Sequence, residues 1–383
     1  MKDLRRVNNP HRDDKVHDAC GLFGAMDLGG KRFSGEMVIK AMANMHFRSN
    51  GLGGGYAVYG LYPDFADQYA LHVMYLSEAA VKETEEFISS RFSVLHSEDI
   101  PTRSTEGISS PPRFRRYFVD LPERQVNGVS PDDYVVARVM EINTGIDDTF
   151  VFSSGKNMGV FKGNAYPEQI AHFFKLEEYQ GYLWTGHGRF PTNTPGWWGG
   201  AHPFNILDWT VVHNGEISSY GINRRYLEQF GYACTMETDT EVVAYAVDLL
   251  IRRHNLPVEI AARVMAAPLW TEIQRMPESE QNLYRTLRQV YGSLLLNGPF
   301  TFIIAHQGEM IGLTDRIRLR PMVVGVKDDM VFISSEEAPI HLVYPGVEET
   351  FIPKGGEPIV ARVGQPFRRR KIVAQHQPDA VGV

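Results

Sequence analysis

FTFIIAHQGEMIGLTD, residues 300 to 315, consists of two apolar runs on either side of the polar turn HQGE. PMVVGVKDDMVFISSE, residues 321 to 336, repeats the arrangement around KDD. Each reads as a β-hairpin, because short β-branched runs separated by a tight polar turn pair antiparallel. Immediately upstream the pattern changes to helical spacing. GINRRYLEQFG (221–231) places Ile222, Tyr226 and Phe230 on one face, with Gly231 as its stop. TDTEVVAYAVDLLIRRHN (238–255) opens with Thr238 as N-cap and Glu241 three residues on, a capping box. Further helix is expected between about 257 and 296. Helices and hairpins thus come in runs, without the βαβα rhythm of a parallel sheet, and an α+β fold with antiparallel sheets follows.

Toward the N-terminus, CGLFGAM (20–26) reads as a strand and SGEMVIKAMANMHF (34–47) as a helix capped by Ser34. The glycines of NGLGGGYAVYG (50–60) follow a helix and precede a strand, the reverse of the order a phosphate-cradling loop requires, so no dinucleotide site is read there. Residues 62 to 150 are the least regular. ALHVMYL has strand character, VKETEEFISSRF is helical, and HSEDIPTRSTEGISSPPRFRR (96–116) suggests a surface excursion. TFVFSS (149–154), YLWTGHGRF (182–190) and WTVVHN (209–214) read as strands, and YPEQIAHFFKLEEYQG (166–181) as a helix from Pro167 to Gly181.

With 383 residues, 43% hydrophobic and 22% charged, the chain can bury one large core or two smaller ones. A formal charge of −7 argues against nucleic acid as the partner, since phosphate neutralisation needs a basic face. Two cysteines exclude a disulfide framework and suit a reducing cytoplasm. The leader MKDLRRVNNPHRDDKVHDA lacks the apolar core of a secretory signal. The longest apolar stretch, EVVAYAVDLLI, is too short and too charged to span a membrane. A cytoplasmic protein is expected.

Four short pieces lie close in sequence: GHGRFPT (186–192), AHPF (201–204), VVHNGEI (211–217) and ETDTEV (237–242). Singly, each has a structural explanation: a surface cation for Arg189, a core histidine for His202, a tight turn for Asn214-Gly215, a first-turn acid for Asp239. Together they supply what an amino-acid amide asks for. A guanidinium suits an α-carboxylate and a carboxylate suits an α-ammonium, roles open to Arg189 and Asp239. The Asn214 amide and the Gly215 N–H can meet a developing oxyanion. Cys20 supplies the nucleophile that this set otherwise lacks.

C-G-L-F-G, G-H-G-R-F-P-T, A-H-P-F, V-V-H-N-G-E-I and T-D-T-E-V, in that order, resemble the class II glutamine amidotransferases. G-P-F-T-F-I-I, D-R-I-R-L-R-P (315–321) and S-S-E-E-A (334–338) are similar to the amidotransferase part of glutamate synthases, especially the type in which it is a separate polypeptide. HFRSNGLGGG resembles that type's Arg-Gly-Asn-Gly segment, with Ser49 where glycine is usual. The resemblance implies a four-layer αββα sandwich of the N-terminal-nucleophile hydrolase type. It implies Cys20 as nucleophile, Asn214 and Gly215 as oxyanion hole, and Arg189, Thr192 and Asp239 as glutamine ligands. His202 and Arg48 match positions near the pocket and receive no definite role.

In that family the cysteine's own α-amine is the base; an α-amine pKa of about 7.7–8.0 suits proton transfer near neutrality. Residues 1–19 are then a leader to be cut between Ala19 and Cys20, and 20–383 one amidotransferase domain with an insertion at about 62–150. The resemblance further implies that ammonia from L-glutamine passes to a separate glutamate synthase-type subunit, or the related N-methylglutamate synthase type, for glutamate biosynthesis and nitrogen assimilation. No cofactor is expected in this chain; FMN and iron–sulfur are expected on the partner. Two alternatives stand beside this: a stand-alone γ-glutamyl amide hydrolase, and an uncleaved, non-catalytic docking or regulatory subunit.

Overall fold

The computed structural model describes residues 19–122, 128–191, 196–347 and 349–368. GLFGAMD (Gly21–Asp27) is apolar at all but its last position, so the strand it forms has to be covered on both faces. It lies inside a seven-stranded antiparallel sheet that runs from edge to edge as Glu349–Phe351, Val323–Lys327, Met330–Ser334, Gly21–Asp27, Leu183–Gly188, Gly54–Tyr59 and Met158–Gly163. A five-stranded antiparallel sheet, Phe204–Ile206, Trp209–Gly215, Phe300–His306, Glu309–Thr314 and Ile359–Arg362, faces it. The contact between them is close. A Cβ added at Gly24 would come within 2.8 Å of Met310 Sδ, and one at Gly312 within 3.1 Å of Ile333 Cδ1.

Helices cover the outer faces. Met42, from helix Glu36–Asn44, lies over Gly186, and Ile340, from helix Ala338–Val343, lies over Gly325. Across the five-stranded sheet, helix Asp239–Val247 packs on Trp209–Gly215 and Phe204–Ile206; its residues from Thr240 onward are all buried, as its unbroken apolar run requires. The order of layers is therefore helix, sheet, sheet, helix, and both hairpins read from the sequence are present.

Residues 62 to 150 contribute helices Glu78–Arg91 and Pro131–Gly145, capped by Ser77 and Ser130, and three strands of a further four-stranded sheet, completed by Thr149–Ser153. The expected surface excursion is partly corrected here. Ser93–Asp99 and Arg113–Asp120 pair in that sheet, and the Ser- and Pro-rich stretch between them forms the connecting loop.

Other local expectations change for identifiable reasons. Gly35, not Ser34, directly precedes the first helix; the Ser34 hydroxyl instead donates to Glu177 O and accepts from Glu36 N–H. The helix from Pro167 stops at Phe173, where Lys175 takes a left-handed φ of 56°, and Gly181 pairs with Phe33 in a short strand. In helix Tyr220–Glu228 the inward positions are Asn223 and Leu227, while Ile222 is exposed. Asn223 can be buried because its amide donates to Ser293 O and its carbonyl accepts from Ser219 Oγ. The capping box at Thr238 does not form. Glu241 turns back to accept from Thr235 N–H and Met236 N–H, outside the helix.

Candidate active site

Side chains alternate across a strand, and that rule builds the site. Gly24 faces the second sheet, so positions 20 and 22 face it too; Cys20 sits at the strand's entry and points between the sheets. On the opposing sheet Ile303 contacts Gly24 and pairs with Val212, so Val212 and Asn214 point inward. On the neighbouring strand Leu22 pairs with His187, which places His187 inward as well. Three pieces scattered over almost 200 residues of sequence thus meet at one end of the space between the sheets.

A cavity of about 190 Å³ opens there, lined by Cys20, Arg189, His202, His213, Gly215 and Asp239, with Phe190, Pro191, Glu216, Ile217, Tyr220, Glu237 and Thr238 completing its wall. Cys20 Sγ accepts a hydrogen bond from Phe190 N–H at 3.3 Å. Burial pushes the thiol above its ordinary pKa, against the lowering effects of the Phe190 N–H and the Arg189 guanidinium. The thiol therefore needs a base to become a nucleophile at neutral pH.

Asp239 Oδ2 accepts from Ile217 N–H at 2.8 Å, and Oδ1 accepts from the Thr240 hydroxyl at 3.2 Å and lies 3.7 Å from His213 Nδ1. Burial raises its pKa, but His213 and these donors outweigh that and hold the carboxyl below its usual range. Burial lowers the Arg189 pKa, with Cys20 and Asp239 opposing the shift. A thiol, a cation and an anion therefore share one small cavity, the lining that a zwitterionic amino acid complements.

Asn214 is fully buried, and among the described residues neither its Oδ1 nor its Nδ2 has a hydrogen-bond partner. It does not line the cavity itself; its neighbours His213 and Gly215 do. Gly215 has φ +139°, and a Cβ there would lie 1.9 Å from Pro299 O, so no other residue fits this turn.

His202 stacks on His187 with ring centroids 3.9 Å apart, and its Nε2 is 3.3 Å from Thr240 Oγ1. Burial pushes His187 down to about 3 and His202 well below the ordinary histidine value, so both are neutral and weakly basic. Arg48 lies outside the cavity lining. Its Nε donates to Cys20 O at 3.2 Å and its Nη1 to Glu336 Oε1 at 2.9 Å, which holds the cysteine backbone. Thr192 falls outside the described residues. Of the further wall residues, His213, Glu216, Ile217 and Glu237 have no role in the sequence reading, and Thr238 enters it only as a helix N-cap. They sit inside the same short motifs, so adjacency was the available signal.

The family model for class II glutamine amidotransferases matches residues 36–350, beginning downstream of Cys20. An uncharacterized protein of Archaeoglobus fulgidus is 57% identical over 354 residues, 91% of this chain and 94% of that protein. A putative glutamine amidotransferase of Methanothermobacter thermautotrophicus is 25% identical over 332 residues, covering 85% of this chain and 93% of that one. The glutamate synthase [NADPH] large chain of Bacillus subtilis is 29% identical over 237 residues, 55% of this chain and 15% of that one.

Proposed function

Because the chain belongs to the class II glutamine amidotransferases, we propose that it hydrolyses L-glutamine through Cys20 and delivers the ammonia to a separate glutamate synthase-type subunit. The observation that carries the hydrolysis is the cavity in which the Cys20 thiol meets both Arg189 and Asp239, beside an Asn214 amide with no partner among the described residues. In this reading Arg189 takes the substrate α-carboxylate, Asp239 takes the α-ammonium, and Thr192 joins them in glutamine binding. Asn214 Nδ2–H and Gly215 N–H face the oxyanion.

The base is the α-amine of Cys20, freed when the Ala19–Cys20 bond is cut; residues 1–19 act as a leader and residues 20–383 as the enzyme. The neutral, weakly basic His187 and His202 support an amine rather than an imidazole base. Ala19 has φ +68°, a left-handed conformation that costs roughly 1–2 kcal/mol in a non-glycine residue and is relieved by cleavage. The amine takes the thiol proton as Sγ bonds to the glutamine carboxamide carbon. It returns that proton to the leaving nitrogen as the C–N bond breaks, and water then hydrolyses the thioester to glutamate and the free thiol.

The partial match to the Bacillus subtilis glutamate synthase large chain supports the choice of acceptor. Two cysteines cannot ligate an iron–sulfur cluster of the usual four-thiolate kind, and in this reading such a cluster, together with FMN, is carried by the partner. Both cysteines are free thiols and, among the described residues, no helix is long and apolar enough to cross a membrane, which fits a cytoplasmic reaction. Purified chain should convert glutamine to equimolar glutamate and ammonia, and Cys20→Ala should not. Equal turnover by both proteins would overturn the assignment.

A further inference from the structure

We infer that Lys162 is a positioning residue for glutamine binding, a buried brace that sets the wall carrying Arg189 relative to the wall carrying Asp239. The inference rests on the proposed glutaminase reading and deepens it. Lys162 lies on Met158–Gly163, the edge strand of the seven-stranded sheet, and is 2% exposed. Its ammonium donates to Gly199 O at 2.8 Å. It also lies 3.6 Å from Met236 Sδ and 4.3 Å from the centroid of the Phe204 ring.

These contacts lead to two separate segments of chain that both reach the cavity wall. Gly199 is followed by Gly200, where an added Cβ would be 3.2 Å from Arg189 Nη1, and then by His202 of the cavity wall. Met236 is followed by Glu237, Thr238 and Asp239, all three in the wall. The Met236 segment is held from behind by Glu241, whose carboxylate accepts from Thr235 N–H at 3.1 Å, Met236 N–H at 3.0 Å and the Tyr245 hydroxyl at 2.9 Å. Charge coupling to Glu241 favours the ammonium, while burial brings its pKa down to about 7. A lysine this deeply buried needs a reason to be kept in an apolar sheet edge. Fixing the separation of the two groups that read a zwitterion supplies one.

The experiment compares wild type, Lys162→Met, Glu241→Gln and the double variant Lys162→Met/Glu241→Gln in glutamine hydrolysis. Glutaramate, the amide lacking the α-amine, serves as second substrate. Lys162→Met is expected to raise KM for glutamine about tenfold or more with kcat within about threefold, the pattern of lost ground-state positioning. The preference for glutamine over glutaramate should narrow, because Asp239 no longer meets the ammonium squarely. The double variant leaves no uncompensated buried carboxylate and so stays folded even if the single change unfolds the protein; measured against Glu241→Gln alone, it still lacks the bond to Gly199 and keeps a raised KM. A wild-type KM and wild-type preference in either variant lacking Lys162 would overturn the brace alone. A wild type that releases no ammonia from glutamine would overturn the functional reading, and the brace with it.

Discussion

Replacing Asn214 with alanine separates activity from stability. The side chain is fully buried, and its amide oxygen and nitrogen have no partner among the described residues. In the resting protein it therefore carries an uncompensated desolvation cost of roughly 1–3 kcal/mol for each polar atom. Truncation removes that cost and leaves a small cavity, which takes back on the order of 1 kcal/mol. Folding stability should hold or rise. In turnover the same amide is one of two oxyanion donors, and losing one typically lowers kcat by about 100- to 1,000-fold, or about 2.7–4 kcal/mol of transition-state stabilisation. KM should change little, because the ground-state carbonyl is held by Arg189 and Asp239 through the rest of the molecule. Urea denaturation read beside steady-state ammonia release measures both effects. If Asn214→Ala keeps near-full kcat, or loses stability in proportion to its activity, the buried amide is structural and the oxyanion reasoning fails.

Further outcomes follow from the same geometry. Arg189→Lys keeps the charge but loses the planar fork, so KM for glutamine should rise by about 10- to 100-fold with a smaller fall in kcat, read from initial rates. Gly215→Ala places a Cβ 1.9 Å from Pro299 O at φ +139°; it should abolish turnover and lower stability by at least about 2 kcal/mol in chemical denaturation. Glu241 has its pKa raised to about 7 by burial, although four groups oppose the shift. The folded state then binds more protons than the unfolded between about pH 4.5 and 7, so this group's contribution to stability is present below that window and is lost as pH rises through it. Glu241→Gln should flatten that part of the stability–pH curve, measured by urea titrations at half-unit steps.

Much of the fold could be read in the chain because the hairpins at 300–315 and 321–336 combine β-branched runs with polar turns, and few other structures satisfy that pattern. Five of the candidate residues, Cys20, Arg189, His202, Gly215 and Asp239, line one cavity, and Asn214 lies directly beside it. Arg48 reaches the cysteine backbone rather than the cavity, a distinction that sequence spacing does not encode. Where the reading went wrong, tertiary partners outweighed local preference. Asn223 displaced Ile222 from the interior because Ser219 and Ser293 satisfy its amide. Glu241 left the capping box because two backbone N–H groups of the preceding loop were within reach. Lys162 gave no sequence signal, since a single lysine in MGVFKG resembles the solvent side of an edge strand. Only the closure of Gly199 and Phe204 over it shows that it is enclosed.

The central claim is that Cys20 acts as an N-terminal nucleophile with its own amine as base. N-terminal sequencing and intact mass of the active protein, before and after exposure to the glutamine analogue 6-diazo-5-oxo-L-norleucine, test it together. The account predicts a chain that begins at Cys20, a single adduct on that residue, and loss of glutaminase activity in step with labelling. A protein that hydrolyses glutamine while residues 1–19 remain attached, or that loses activity through an adduct elsewhere, would contradict it.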